Sequence, residues 1–335
     1  MLQRMQKNRG TMIDIVQECR GAALIGIAGH VNPDGDCVGS VMALWQFLKK
    51  VFPKVQIDAM IEQPPAIFDF VCGVSEIVTD YSAEKTYDVM IVADTVPDRC
   101  GEAIKYIDTA KKVINIDHHI SNRGGCDVDH IVPGASSAAE VVYELIAQKE
   151  EYKKLIDKEL AQTLYIGIIH DSGVMQYSNT SPKTLRIVAE LISYGFDFPK
   201  LIDETFYEKT EVQSKLLGKA LMDAYTLFDG RVMISMTDLK TLREYGADKK
   251  DLSGIVNQLR IVKGVDVAVY IYEVGEQSYK ISMRSCSDDI DVSKVSAHFG
   301  GGGHVRAAGC NIDGTYEEVV NSLMEQLALQ MEDDR

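Results

Sequence analysis

The sequence predicts an α/β protein: a parallel-sheet domain over residues 1–202, a helical linker over 203–225 and a smaller α/β domain over 226–335. Three observations lead there. In the first half, aliphatic runs of strand length alternate with helically periodic segments, the pattern of parallel strands joined by right-handed crossovers. The stretch 203–225 is long, polar and helical in character. Beyond it strand-type segments resume, and a chain of 335 residues is long enough for two separate cores.

Taken in order, residues 11–19 suggest a leading helix, and the small and aliphatic run 22–28 a buried strand. That strand feeds residues 29–40, Gly-His-Val-Asn-Pro-Asp-Gly-Asp-Cys-Val-Gly-Ser, where Pro33 stiffens the loop and Gly35 permits a sharp turn. Val38, Val41, Met42, Trp45 and Leu48 then recur at three- and four-residue spacing along a helix. Residues 55–61 form a second strand, 88–93 a third that delivers Asp94, and 113–116 a fourth that delivers Asp117, His118 and His119. Ser137 with Glu140 is a capping box opening a helix through Ile146. Leu160, Leu164 and Ile168, flanked by Ala161, Tyr165 and Ile169, make 159–170 a buried helix that stops at Asp171-Ser-Gly173. Ser181 and Pro182 start another helix through Ser193. In the second domain, strands are expected at 231–236, 265–274 and 279–284, with a helix around 252–260 and a closing amphipathic helix at 316–329.

Three strand ends carry metal-competent side chains, and in open α/β sheets ligands bind beyond the carboxyl ends of the strands. Helix capping explains an Asp at one strand end, not at three. His30, Asp34, Asp36, Asp94, His118 and Asp171 are too many ligands for one ion with an open position. They suit two ions about 3.5–4 Å apart, sharing one carboxylate and activating a water for attack on phosphorus. Carboxylates mixed with imidazoles favour Mn²⁺, with Mg²⁺ or Co²⁺ as alternatives, and the lack of thiolate ligands disfavours structural zinc. His119 is left to donate a proton to a leaving oxygen or to contact the phosphate. Cys37 fits a small helix residue better than a nucleophile. Downstream, residues 298–309 read His-Phe-Gly-Gly-Gly-Gly-His-Val-Arg-Ala-Ala-Gly. Four glycines expose backbone N–H groups that suit an anion or nucleotide, although such a run also serves as a flexible turn. His304, Arg306 and the small residues behind them favour binding.

The formal net charge of −15 opposes tracking along a polyanion, so a phosphate-ester substrate should be small or held at its end, not a long duplex. No apolar run approaches a membrane span, and residues 1–9 lack the apolar core of a signal peptide. Seven cysteines, with no Cys-x-x-Cys pair, point to reduced thiols in a cytoplasm.

Asp117-His118-His119 is the signature triplet of the DHH phosphoesterases. His30-Val-Asn-Pro-Asp34-Gly-Asp36 resembles the family's first motif, Val92-Ala-Asp94 its second and Asp171-Ser-Gly173 its fourth. Arg284-Ser285 and residues 300–309 resemble the DHH-associated C-terminal domain. The resemblance spans nearly the whole chain in the expected order, and is greatest toward the stand-alone nanoRNase and pAp-phosphatase branch. It implies one metal held by His30, Asp34 and Asp94, a second by Asp36, Asp94, His118 and Asp171, and Asp94 bridging. His119 would sit at the substrate phosphate. Arg284, Ser285, Gly302, Gly303, His304 and Arg306 would hold the nucleotide in a cleft between the domains, with hinge motion about 203–225. Met175 stands where the family often carries an aromatic residue, which bears on local substrate packing and not on the metals.

The implied activity is Mn²⁺-dependent hydrolysis of short oligoribonucleotides to mononucleotides and dephosphorylation of 3′-phosphoadenosine 5′-phosphate (pAp). A rival within the class is a phosphodiesterase of linear or cyclic dinucleotides. The family's membrane-bound cyclic-dinucleotide enzymes carry transmembrane and sensor segments, of which this sequence shows none. A RecJ-like exonuclease would need more domains and a basic channel. A family II pyrophosphatase would share the first-domain motifs but not the Gly-Gly-Gly-His second domain. Outside the enzymes stands a nucleotide-binding sensor, which the filled metal positions oppose. A Rossmann dehydrogenase lacks its Gly-x-Gly-x-x-Gly after a strand.

Overall fold

Short aliphatic runs, too brief for helices and buried on both faces, form the central sheet of the first unit. In this computed structural model, which describes residues 12–331, the strands are β1 (Leu24–Ala28), β2 (Gln56–Met60), β3 (Val89–Ala93), β4 (Val113–Asp117) and β5 (Val128–Ile131). All pair in parallel, in the order β2-β1-β3-β4-β5. The order reverses at β1, which lies between β2 and β3, so the loops leaving β1 and β3 diverge at a topological switch point. That crevice receives His30, Asp34, Asp36 and Asp94. β5 is an edge strand whose Val-Asp-His-Ile gives no aliphatic run, and the sequence pattern does not reveal it.

The helix Gly35–Val51 is buried almost throughout, with Val38, Val41, Met42, Phe47 and Leu48 packed among Ile25, Ile27, Ile91, Leu164 and Ile168. It lies against the helix Lys158–Asp171, and the two approach at glycine: a Cβ on Gly39 would stand 2.7 Å from the Gly167 Cα. Met60, Tyr87, Met90, Val92 and Tyr106 form a separate cluster in the same unit.

The chain divides into the units Met1–Glu208 and Lys209–Arg335. The segment 203–225, expected to connect them, is shared out. A π-helical turn, Asp203–Tyr207, packs in the first unit through Thr205 and His170, while the helix Glu211–Met222 buries Leu216 and Ala220 in a core of the second. The second unit has a six-stranded sheet among the described residues. Its strands are β6 (Tyr225–Leu227), β7 (Val232–Thr237), β8 (Val267–Gly275), β9 (Ser278–Ser285), β10 (Gly302–His304) and β11 (Ala307–Asp313). They run β10-β11-β9-β8-β7-β6, antiparallel except for β7 with β8. The helices Val292–His298 and Tyr316–Met331 pack Val292, Val295, Leu323 and Leu327 with Val269, Ile271 and Ile281. Much of the glycine-rich stretch is thus a hairpin, β10 to β11, held by backbone pairing.

The predicted leading helix is a single turn, Ile15–Glu18, capped by Asp14. Residues 1–11 and 332–335, including the N-terminal stretch weighed as a signal peptide, lie outside the described residues. Among the described residues no helix is long and apolar enough to cross a membrane, and the seven cysteines stand as free thiols.

Candidate metal centre

The carboxylates of the first loop are aimed by the helices they cap. Asp34 is the N-cap of Gly35–Val51, its Oδ1 accepting from the N–H groups of Asp36 (3.0 Å) and Cys37 (3.1 Å). Asp36 is buried and caps a different helix, Ala138–Ala147: its Oδ2 accepts from Ala138 N at 2.6 Å and its Oδ1 from Ala139 N at 2.9 Å. Two backbone donors at a positive helix end fix that carboxylate in place. Ser137 accepts from Glu140 N as the sequence suggests, but the Glu140 side chain does not return the bond. It is buried instead among Ser136, Thr184 and Lys183. Asp94 follows β3 in the left-handed region, φ +60°, a conformation that costs energy outside glycine and clusters at functional sites. Asp171 ends its helix, and Gly173, Val174 and Met175 follow with φ of 57°, 54° and 63°.

These elements bring the six predicted ligands of the first unit together. Asp94 lies at the centre, 3% exposed, and its two oxygens face different histidines: Oδ2 is 3.5 Å from His30 Nε2 and Oδ1 is 3.6 Å from His118 Nε2. His118 Nε2 also lies 3.7 Å from Asp36 Oδ2 and 3.5 Å from Asp171 Oδ2. Asp34 stands at the rim, 3.8 Å from His30 Nε2 and largely exposed. Both histidines turn Nδ1 to a backbone carbonyl, His30 to Val31 (2.9 Å) and His118 to Ala135 (3.3 Å), which directs Nε2 into the cluster.

The spacing suits cations better than hydrogen bonds. Donor atoms about 2.1 Å from a shared ion lie roughly 3–3.5 Å from one another, near the separations found here. Asp94 Oδ1 is buried without a hydrogen-bond partner, an arrangement that costs free energy unless a cation meets it. Charge leads to the same conclusion. Burial, then Asp94, Asp171 and Asp34, push the Asp36 carboxyl well above its ordinary value; burial, with Asp94 and Asp34, pushes Asp171 up to about 6. Burial opposes charge on His118, yet Asp94 and Asp171 prevail and raise its imidazole to about 9. Divalent ions would neutralise the same carboxylates and relieve that repulsion. Cys37 is fully buried, and burial, aided by Asp94, lifts its thiol to about 11 against the pull of His30 nearby. A neutral thiol is a poor ligand for a hard ion.

His119 lies beside the cluster, Nδ1 3.7 Å from Asp94 Oδ1 and 2.8 Å from Asp117 Oδ1. Asp117, fully buried, also accepts from the backbone N–H groups of His118 and His119 and from Asn122 Nδ2. Its carboxylate lies within 4.8 Å of donor atoms of Asp94, His118 and His119, and it orients His119 through Nδ1, raising that imidazole against burial. The sequence reading passed over this role; its signal is an Asp ending a buried strand immediately before the histidine pair.

In the second unit, strand register places Arg284 opposite Ala307, which pairs with His304, so these share one face with Gly302 and Gly309. A Cβ on Gly302 would meet nothing within 4 Å, whereas one on Gly303 would strike Ala307 O at 2.4 Å; Gly302 presents open backbone and Gly303 permits strand closure. Arg284 donates to Asn257 Oδ1 (3.2 Å) and Met283 O (3.0 Å). Arg306, at the hairpin tip, is held by Ser287 O and Asp288. Ser285 points to the opposite face, buried, donating to Ser287 O.

Both units match known protein families. Residues 24–168 match the DHH family, N-terminal domain, and residues 229–333 match the DHHA1 domain. The bifunctional oligoribonuclease and PAP phosphatase NrnA of Bacillus subtilis is 28% identical over 285 residues, 84% of this chain and 87% of that protein. The protein of the same name from Thermus thermophilus is 28% identical over 309 residues, 90% of each chain. Among solved structures, an exopolyphosphatase-related protein from Bacteroides fragilis superposes with a TM-score of 0.85 at 25% identity, covering 99% of this chain and 98% of that one.

Proposed function

The chain belongs to the DHH family and carries a DHHA1 domain, and we propose that it is a Mn²⁺-dependent phosphoesterase of short oligoribonucleotides and pAp. Hydrolysis of phosphoester bonds is the chemistry of its relatives, and NrnA-type proteins supply the substrate class. The observation that carries the metal reading is Asp94, whose two oxygens face His30 and His118 separately.

In this reading His30, Asp34 and Asp94 hold one ion, and Asp36, Asp94, His118 and Asp171 the other. When bound, the two ions lower the pKa of a water for attack and neutralise charge gathering on the phosphoryl oxygens. The chain's own residues do the rest. Asp94 keeps the two halves of the site in fixed relation. Asp117 holds His119 so that Nε2 contacts the phosphate or gives a proton to the leaving oxygen. Arg284, Gly302, His304 and Arg306 offer cations and open backbone to a nucleotide, with Gly303 and Ser285 shaping the strands that carry them. A surface of net charge −15 suits a substrate of few phosphates.

The test is hydrolysis by the full chain with Mn²⁺, before and after chelation, of pAp, an RNA dinucleotide, a long oligoribonucleotide and pyrophosphate. Metal-dependent turnover of the first two with little on the third is expected. Turnover of pyrophosphate alone would overturn the substrate assignment, and none on any substrate with metal bound would overturn the enzyme.

A further inference from the structure

A polar side chain in the middle of a buried parallel strand demands partners, and Asn115 of β4 is 1% exposed. Its Nδ2 donates to Val92 O at 3.1 Å and to Thr95 O at 2.7 Å. Those carbonyls can only accept, so the amide orientation is fixed, and Oδ1 must face the other way. There it accepts from Asn122 Nδ2 at 2.7 Å, and the same Nδ2 donates to Asp117 Oδ2 at 2.5 Å. Asn122 Oδ1 accepts from Gly124 N at 2.8 Å, so its amide orientation is fixed as well.

The two carbonyls bound by Asn115 flank Asp94, whose backbone is left-handed. Asp117, at the far end of the network, holds His119 Nδ1. One connected set of hydrogen bonds therefore runs from the chain on both sides of the central carboxylate to the residue that orients the histidine. We propose that Asn115 is a positioning residue that fixes Asp94 and His119 relative to each other. This rests on the metal-dependent hydrolysis proposed above and deepens it. Asn115 touches neither substrate nor ion. Its amide donor holds the turn that presents Asp94, and its amide acceptor steadies Asn122 and thereby Asp117.

The two arms separate by mutation. Asn115→Asp keeps an acceptor toward Asn122 but sets a carboxylate against two carbonyls beside Asp94. Asn122→Ala cuts the arm to His119, and with it the bond from Gly124 N, but leaves the Asn115 donors to Val92 O and Thr95 O in place. Each full-length variant is checked by thermal melting, titrated with Mn²⁺ while free Mn²⁺ is followed by EPR, and assayed for kcat and KM on pAp. Asn115→Asp should weaken Mn²⁺ affinity by about 10–100-fold, the scale of an outer-sphere change at a metal site, and lower kcat. Asn122→Ala should keep wild-type Mn²⁺ affinity and KM while kcat falls about 10–100-fold, since His119 loses its orientation. A folded Asn115→Asp with wild-type Mn²⁺ affinity, or an Asn122→Ala with wild-type kcat, would reduce the network to stability alone and overturn the proposal. If Asn115→Asp does not fold, the Asn122→Ala kcat decides. If the wild type binds Mn²⁺ but turns over no phosphoester, the functional reading fails, and Mn²⁺ affinity still decides whether Asn115 positions Asp94.

Discussion

Asp36 and Asp94 in the first unit are 2% and 3% exposed and held by backbone or by a constrained turn, whereas Gly302, His304 and Arg306 in the second lie exposed on a two-stranded hairpin. On the proposed function, the difference follows from what each region would bind. Carboxylates gathered for ions repel one another until the ions arrive, so they must be fixed by bonds that do not depend on the ligand. A nucleotide brings its own charge and shape, and exposed N–H groups with two or three cations suffice to receive it. Disturbing the first region should therefore abolish chemistry on every substrate, and disturbing the second should change which substrates are used.

Asp94→Asn tests the first half most severely. Asn tolerates the left-handed backbone and preserves volume, so the fold should persist while hydrolysis of pAp, dinucleotide and a small generic ester all fall on the order of 10³-fold. Loss on one substrate alone would break the contrast. Next in size is Gly167→Ala. The added Cβ would sit 2.4 Å from the Ala139 Cβ and 3.0 Å from Asp36 Oδ1, so the helices must part and the carboxylate must move. A stability loss of about 1–3 kcal/mol, measured by denaturant melts, should come with weaker Mn²⁺ binding. Arg306→Ala probes the second region: KM for pAp should rise about tenfold while kcat on a small generic ester holds. Equal losses on both would contradict the division of labour.

The smallest effect sharpens the contrast through pH. His170 sits against Gly35 and bonds Thr205 at 3.0 Å, and burial lowers its imidazole from 6.5 to about 4. Because the unfolded chain binds that proton more readily, the contribution is complete above pH 6.5 and is lost as pH falls toward 4. About 3 kcal/mol should vanish across that window in metal-free protein, and the slope should flatten in His170→Gln. An unchanged slope would refute the assignment.

Much of this was legible in the residues. Aliphatic strands that end in Asp94 and in Asp117-His118-His119 can be placed from the chain alone, because buried parallel strands announce themselves by composition. The six side chains nominated as ligands in the first unit lie close together. β5 was hidden because an edge strand of Val-Asp-His-Ile has no run to reveal it, and β10 with β11 because glycine pairs through backbone that composition does not report. The capping of one helix by Asp36 from another, and the relay from Asn115 to Asp117, join residues far apart in sequence. Local pattern carries no signal for them beyond a polar Asn inside an apolar strand.

The claim that Asp94 joins two ions is tested most directly by EPR on the chain titrated with Mn²⁺. Two ions per chain with an exchange-coupled spectrum, lost in Asp94→Asn, is the predicted result, since a shared carboxylate holds ions about 3.5–4 Å apart. A single ion, or two with uncoupled signals, would contradict it.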